Sequence, residues 1–421
     1  MERNMTAAAP AVERPSPKMI LVVALLVAVF VSAVIDIVIP INVMDIAATF
    51  SIQTGTIAQL DSIIAISSVA TALLLGAFGA RFRYKPLVMV GVLFIAFCAI
   101  GLFLAPNFPL AELIVPLNGI GSVLIIVTTQ TFIGNSFPLD KKAKVIGWVS
   151  AAGTLALAVG SPIVGFMTGI GGWRSSLIWF MLPAAVVSLV LVFVVFPFNL
   201  PEPQLDTKKE PFMRGFKQVL TNKSAVACLA SAFLGNAFWM GGALFGVTYL
   251  RQVFSVSPGF ASLIGPLVGT ALITVGAIIG GHLVNRVGRK RLTAVTTFSA
   301  GLSMLLAYSM PDLSIFLALY YTASIFVGIT MAAASNLMLE QVPQFRGTAM
   351  SLSSAFSGVG TAIGFTVAGA VLNLYVNPTI GFQMLGLTVG ALAFAGALII
   401  LFLAKDPVRG QQQTQKPVFQ P

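Results

Sequence analysis

Two aspartates lie inside long apolar stretches of the sequence, where a charged side chain is costly and therefore suggests a function. Asp36 shares a helical face with Ser32, and Pro40 removes a backbone hydrogen bond one turn later. Asp61 lies near the start of the next apolar stretch. A carboxyl group half-shielded from water can exchange protons or attract a cation, so both residues are candidates for proton coupling or cation attraction. The alternative is a wetted carboxylate that bonds a neighbouring helix.

Polar and aromatic side chains recur at helical spacing in three further apolar stretches. A mostly apolar lining with few polar groups suits an amphipathic or weakly polar organic solute, although ordinary helix packing produces the same pattern. The candidate solute contacts, together with Ser32, are Asn118, Ser122 and Thr129, then Asn236, Phe238, Trp239, Phe245 and Tyr249, and then Tyr321 and Ser324.

Other kinds of chemistry are not indicated. Cys98 and Cys228 are the only cysteines and both lie in apolar stretches, while His282 is the only histidine, so neither a disulfide framework nor a metal site is expected. The sequence has no phosphate-binding loop and no nucleophile elbow. We therefore predict a protein that is not an enzyme and that has no cofactor and no bound metal.

The composition places the chain in a lipid bilayer. Of its 421 residues, 57% are hydrophobic and 9% are charged, against about 25% charged residues in soluble domains. The formal charge of +11 does not indicate a nucleic-acid partner, because the basic residues fall in short loops between apolar stretches.

The lengths of the apolar stretches predict membrane-spanning helices. A helix needs about 20 apolar residues to cross a bilayer, and continuous apolar runs of this length exclude the alternating strands of a barrel. We predict an all-α integral membrane protein with twelve transmembrane helices, near residues 19–42, 56–79, 86–106, 110–136, 146–169, 174–197, 225–250, 259–283, 292–310, 313–338, 349–373 and 380–404.

The basic residues predict the orientation of these helices. Of the 24 Lys and Arg residues, all but Arg174 and Arg251 fall on one side of the predicted spans. Because positive charge stays on the cytoplasmic side, both termini should lie in the cytoplasm.

The longest polar segment divides the spans into six and six. Within it, Phe212, Phe216, Val219 and Leu220 share a helical face, which fits either a short helix on the lipid surface or a solvated linker. The predicted parts are a cytoplasmic N-terminal tail at 1–18, a six-helix bundle at 19–197, a cytoplasmic linker at 198–224, a second six-helix bundle at 225–404 and a cytoplasmic tail at 405–421.

The two halves contain a repeated basic turn. GAFGARFRYK, from Gly76 to Lys85, and GHLVNRVGRK, from Gly281 to Lys290, lie 205 positions apart. Phe137-Pro138 and Val342-Pro343 are related by the same offset. Two matches at one offset indicate an internal duplication, and such repeats place a solute path between the halves, near the middle of the bilayer.

These turns resemble the cytoplasmic signature of the major facilitator superfamily, G-x-L-x-D-R-x-G-R-K. The resemblance implies that the turns form a cytoplasmic gate and that the first and fourth spans of each half line the solute path. Because the second copy is closer to the pattern, neutralising Arg286 is predicted to slow transport more than neutralising Arg83. The second copy keeps Gly281, Leu283, Arg286, Gly288, Arg289 and Lys290, with Asn285 at the Asp position, whereas the first keeps Gly76, Arg81 and Lys85, with Ala80 at that position.

Asp36-Ile-Val-Ile-Pro40 resembles the Asp-x-x-x-Pro of drug and small-solute efflux carriers, although Val115 stands where the antiporter signature of span four has Arg. We therefore predict a secondary active transporter of the cytoplasmic membrane, acting as a monomer. It would export a small organic solute by alternating access, with proton exchange through Asp36 left open. The alternatives are an uncoupled facilitator, a proton-coupled metabolite symporter and a membrane sensor that does not transport.

Overall fold

A computed structural model describes residues 19–78, 83–137, 139–196 and 212–406. Twelve helices in these ranges are long and apolar enough to cross a membrane, which confirms the predicted all-helical fold class. They are span 1 (Met19–Ile41), span 2 (Thr54–Leu75), span 3 (Tyr84–Leu104), span 4 (Phe108–Gly134), span 5 (Val145–Gly171), span 6 (Trp173–Val195), span 7 (Lys223–Gln252), span 8 (Pro258–Val284), span 9 (Arg289–Ser309), span 10 (Leu313–Gln341), span 11 (Pro343–Leu374) and span 12 (Pro378–Leu403).

Local sequence fixes where several of these helices begin. The side chains of Asn107, Asn222, Asp312 and Asn377 each accept a hydrogen bond from a backbone N–H of the first helical turn that follows. These residues therefore satisfy backbone donors that lipid would leave without a partner.

The connection between spans 8 and 9 is shorter than predicted. The helix of span 8 continues to Val287, and the turn consists of Gly288 alone, which adopts a positive φ of 94° that glycine tolerates best. A new helix begins at Arg289. Most of the second basic turn is therefore helical. The corresponding first turn lies partly outside the described residues, Arg81 among them.

The linker ends in a helix that packs on protein. The described part of the predicted linker begins with the helix Phe212–Thr221, which contacts spans 7 and 11. Val219 is fully buried there, with Phe216 beside it in the same apolar cluster. Apolar side chains of this amphipathic helix thus pack against the second half of the protein.

The two sets of six spans meet along two lines of contact. Span 2 packs against span 11, and span 5 packs against the start of span 8. Because successive spans alternate in direction, span 1 begins and span 12 ends at the same face of the bundle. We call this face the termini side and the opposite face the far side.

Candidate functional site

Span 1 is the most buried of the twelve spans and positions Asp36. It packs against spans 4, 5 and 6 of its own half and, at its far-side end, against span 7. Its accessible and half-buried residues fall on one face at helical spacing, from Val23 through Phe30 and Ala33 to Asp36, which is itself exposed. Neighbouring helices cover the rest of span 1 and leave this face open.

Asn118 and Asp61 are two polar side chains that act on the Asp36 carboxyl group or respond to it. The Asn118 amide of span 4 is close enough to stabilise the Asp36 carboxylate, and the charges of Asp36 and Asp61 act on each other. Asn118 is fully buried, yet neither of its amide atoms makes a well-formed hydrogen bond within the described structure. The structure therefore places beside Asp36 an amide without a well-formed hydrogen bond, and the charge of Asp36 also acts on Asp61.

The other predicted polar residues of the first half belong to helix packing. Ser122 donates a hydrogen bond to the Ser32 carbonyl at 3.1 Å, and Ser32 donates to the Val29 carbonyl at 2.8 Å. Thr129 is fully buried, and its hydroxyl has no partner among the described groups. Ser32, Ser122 and Thr129 thus lie behind the exposed face of span 1 and not on it.

In the second half, Trp239, Asn236 and Tyr321 are the predicted residues that are half-buried. Trp239 is half-buried and stacks on Tyr320 with ring centroids 6.0 Å apart. Asn236 is also half-buried and donates to the Ala232 carbonyl within its own helix, and the side of Gly235 has no neighbour within 4 Å. The side chains of Trp239 and Asn236 are therefore only partly covered by protein.

Four predicted residues of the second half, Phe238, Phe245, Tyr249 and Ser324, are packed into its interior in this conformation. Phe238, Phe245 and Tyr249 are at most 2% exposed, and the Tyr249 ring lies 4.7 Å from that of Phe316. Ser324 is fully buried and donates to the carbonyl one turn before it, while the Tyr321 hydroxyl donates to the Ile264 carbonyl of span 8 at 2.7 Å. Phe238, Phe245 and Tyr249 do share one helical face, as their spacing predicted, but that face packs against other aromatic side chains of the second half.

An ion pair closes the far side of the bundle. Arg251, at the end of span 7, bonds both carboxylate oxygens of Asp45, which follows span 1. The same guanidinium donates to the Ile41 carbonyl at the end of span 1, at 3.3 Å. Arg251 was one of the two basic residues predicted to lie away from the others, but its partner, 206 positions earlier, could not be identified from the sequence.

Spans 2 and 11 form a tight contact beside this ion pair, which we call the seam. Asn373 donates to the Thr56 hydroxyl, and Thr366 donates to the Ser62 hydroxyl, both at 3.0 Å. The backbones of Gly55 and Gly369 touch, leaving no room for a Cβ atom on either.

In the described ranges, the polar contacts between the two halves lie toward the far side, while apolar packing of span 2 on span 11 continues to Val69 and Gly358. Among the residues that the structure describes, the hydrogen bonds and ion pairs that join the two halves involve Ile41, Asp45, Thr56 and Ser62 of the first half. Burial along span 2 falls from this end to the other, where Leu73 and Leu74 are about 60% exposed. The described conformation is therefore closed at the far side and opens toward the termini side.

The predicted gate residues lie at the open end. Arg289 forms an ion pair with Glu340 at the end of span 10, at 3.9 Å, whereas Arg286 is exposed. Lys85 is buried and donates to the Phe193 carbonyl of span 6 at 2.7 Å. These contacts stay within one half. Gly76 and Gly281 lie in helices, and the side chain of Asn285 falls outside the described part of the chain.

Metal chemistry finds no support in the described ranges, where no group of three or more His, Cys, Asp and Glu side chains could hold an ion. His282 is exposed, with its Nδ1 atom 2.8 Å from the Ile278 carbonyl of the same helix.

Two six-span halves joined at the far side, with an exposed carboxyl group on the most buried span, are typical of a multi-pass membrane transporter. The sequence matches the family model of the Major Facilitator Superfamily over residues 24–344 and 245–420, and the chain belongs to this superfamily. Its members carry small-molecule solutes and are not enzymes.

Curated relatives and solved structures agree with this assignment. The chain is 22% identical to the uncharacterized MFS-type transporter YwfA of Bacillus subtilis over 96% of each chain, and 24% identical to Multidrug resistance protein 2 of the same organism over 77% of this chain and 81% of that one. The crystal structure of a bacterial homologue of the human lysosomal transporter Spinster, inward-facing and unoccupied, is similar in fold. Its TM-score is 0.79 at 17% identity, and the match covers 92% of this chain and 97% of that one.

Proposed function

We propose that the chain exports a small amphipathic organic solute from the cell by alternating access, in exchange for protons that Asp36 binds. The exposed position of Asp36, on the one open face of span 1, is the observation that carries this proposal. A carboxylate at that place can hold either a proton or a polar group of the solute, so that binding of one favours release of the other.

The surroundings of Asp36 support an amphipathic solute. Phe30 of span 1 and Trp239 of span 7 are half-buried apolar surfaces in the two halves, and Asn236 adds an amide. Few polar groups among aromatic ones favour a solute with a large apolar part. The relative named Multidrug resistance protein 2 supports the same class of solute.

The distribution of charge supports the orientation. The basic residues of the termini side, among them Arg286, Arg289 and Arg346, favour a cytoplasmic location for that side, whereas Arg251 lies at the far side. The described conformation would then be open to the cytoplasm and ready to take up the solute. We propose a monomer in the cytoplasmic membrane, because each six-span half already meets its partner within one chain.

Flux measurements test the proposal. Purified protein is placed in liposomes that contain a pH-sensitive dye, and ethidium, as an amphipathic cation, or chloramphenicol, as an uncharged solute, is added. We expect proton movement that depends on one of these solutes and is lost in Asp36→Asn. Glu112→Gln, which removes a carboxylate at the far-side end of span 4, should leave that movement intact. Solute flux without proton movement would indicate an uncoupled facilitator, and proton movement in the same direction as the solute would indicate a symporter.

A further inference from the structure

The second predicted carboxyl group, that of Asp61, lies in different surroundings from Asp36. Asp61 is 5% exposed, and its Oδ2 atom has no hydrogen-bond partner in the described structure. The ion pairs of the described residues involve Asp45 and Glu340 instead. A buried carboxylate without a cation or a donor is costly, whereas a protonated carboxyl group is tolerated. This conformation therefore accommodates Asp61 in its neutral form.

The stretch of span 2 that contains Asp61 also forms the seam. Ser62, the next residue, donates to the Ala362 carbonyl of span 11 at 3.1 Å and accepts from Thr366. Thr56 and Gly55, less than two turns earlier, make the other seam contacts. Any movement that parts spans 2 and 11 at the far side therefore moves the helix turn that holds Asp61.

We propose that Asp61 is a second proton-binding site, separate from the solute-facing Asp36, and that its proton holds the seam between spans 2 and 11 closed. Loss of this proton leaves a largely buried charge without a cation or a donor on Oδ2, and parting of the seam would expose that charge to more water. Deprotonation of Asp61 thus favours the conformation that is open at the far side. The proposal rests on the proposed function, because a proton site that sets access matters only in a proton-driven carrier.

The two carboxyl groups also influence each other. A negative charge on either of Asp36 and Asp61 is unfavourable for a negative charge on the other. The solute-facing carboxyl group and the carboxyl group beside the seam are therefore coupled electrostatically.

Few other charges act on Asp61. The elements packed against span 2 carry Asp36 on span 1, Asp45 on the helix that follows span 1, Glu112 at the far-side end of span 4 and Arg346 at the termini-side end of span 11, and Asp45 is already paired with Arg251. Of these described groups, the charge of Asp36 is the one that acts on Asp61. The pH response of the seam should therefore be set by these two carboxyl groups.

Distances across the far side test the proposal. Spin labels are attached to Ala48→Cys, after span 1, and Val376→Cys, after span 11, in protein whose Cys98 and Cys228 are replaced by Ala. Both labelled positions are exposed and belong to opposite halves. Distances are measured by double electron–electron resonance in lipid nanodiscs, without solute, at mildly acidic and mildly alkaline pH.

The wild-type seam should be closed in acid, and a longer distance should appear in alkali. Asp61→Asn should keep the short distance at both pH values, with the open population reduced at least about tenfold in alkali. The matched control Glu112→Gln should respond as the wild type does. If Asp61→Asn does not give monodisperse protein, Asp61→Thr takes its place, since it also removes the charge and keeps a small polar side chain.

Three results would overturn the proposal. The first is a wild-type distance that does not depend on pH, and the second is a pH response that persists in both Asp61 variants. The third is a pH response that is lost in Asp36→Asn but kept in the Asp61 variants. The measurement contains no solute, so any of these results leaves the export proposal standing. Conversely, if the far-side distance depends on pH but the protein moves no solute, that result would contradict the export proposal and would leave the role of Asp61 standing.

Discussion

Removal of the far-side ion pair should shift the protein toward the conformation that is open at the far side. Arg251→Met deletes the guanidinium that bonds the Asp45 carboxylate and the Ile41 carbonyl, and it keeps an unbranched side chain of similar reach. Asp45 and Arg251 belong to opposite halves, so these bonds exist only while the far side is closed. Their loss therefore changes the balance between conformations and not only the stability of the fold.

The size of the shift follows from the burial of the pair. The Arg251 side chain is 11% exposed and the Asp45 side chain 28%, so the pair is partly shielded from water. Exposed ion pairs contribute about 0.2–1 kcal/mol, and hydrogen bonds to charged groups about 1.5–3 kcal/mol. For a partly shielded pair with two bonds we expect about 2 kcal/mol, which is about a 30-fold change in the conformational equilibrium.

The labelled pair Ala48→Cys and Val376→Cys measures this shift directly, as an increase in the longer far-side distance at constant pH. Arg174→Met is the matched control, because Arg174 is the other far-side arginine but bonds the Ala105 carbonyl within its own half. It should leave the distance distribution unchanged. A shift below about threefold in Arg251→Met, or an equal shift in Arg174→Met, would refute the role of the ion pair as a closing contact.

Two further substitutions test the seam and the turn at the open end. Gly369→Val places side-chain atoms where the backbone of span 2 lies, so it should prevent far-side closure and abolish solute flux. Gly169→Val in span 5 is the control, because Gly169 has open space around it, and it should retain solute flux. Arg289→Gln removes the ion pair with Glu340 and should slow transport severalfold, more than Arg286→Gln does. Equal transport rates in the two arginine variants would show that this ion pair does not matter, and normal flux in Gly369→Val would show that the seam need not close.

The twelve spans could be predicted from the sequence. A backbone in lipid must form all its hydrogen bonds internally, and a long apolar run does so as a helix. Their ends are less predictable. Span 8 was expected to end at residue 283 and its helix continues to Val287, because basic residues extend a helix past the apolar core as readily as they form a loop. Gly288, with its positive φ, is the residue that ends it.

Asp36 could be recognised as a candidate because a charged side chain in an apolar stretch is too costly to persist without a role. Helical spacing could not separate Trp239, which borders open space, from Phe245, which is fully buried two turns later. Both positions are apolar and periodic, and only the packing of the neighbouring helices decides which face is covered. The contacts of Arg251 and Asn373 were not predictable either, since their partners lie in the other half of the chain.

The most direct test of the central claim is proton release on solute binding. Whichever of ethidium and chloramphenicol raises the Tm of the purified protein is added to it in weakly buffered detergent solution with a pH indicator. We predict that the wild type releases protons as the solute saturates it and that Asp36→Asn releases none on binding the same solute. Binding without proton release in the wild type, or equal release in Asp36→Asn, would contradict the proposal that solute and proton exchange at Asp36.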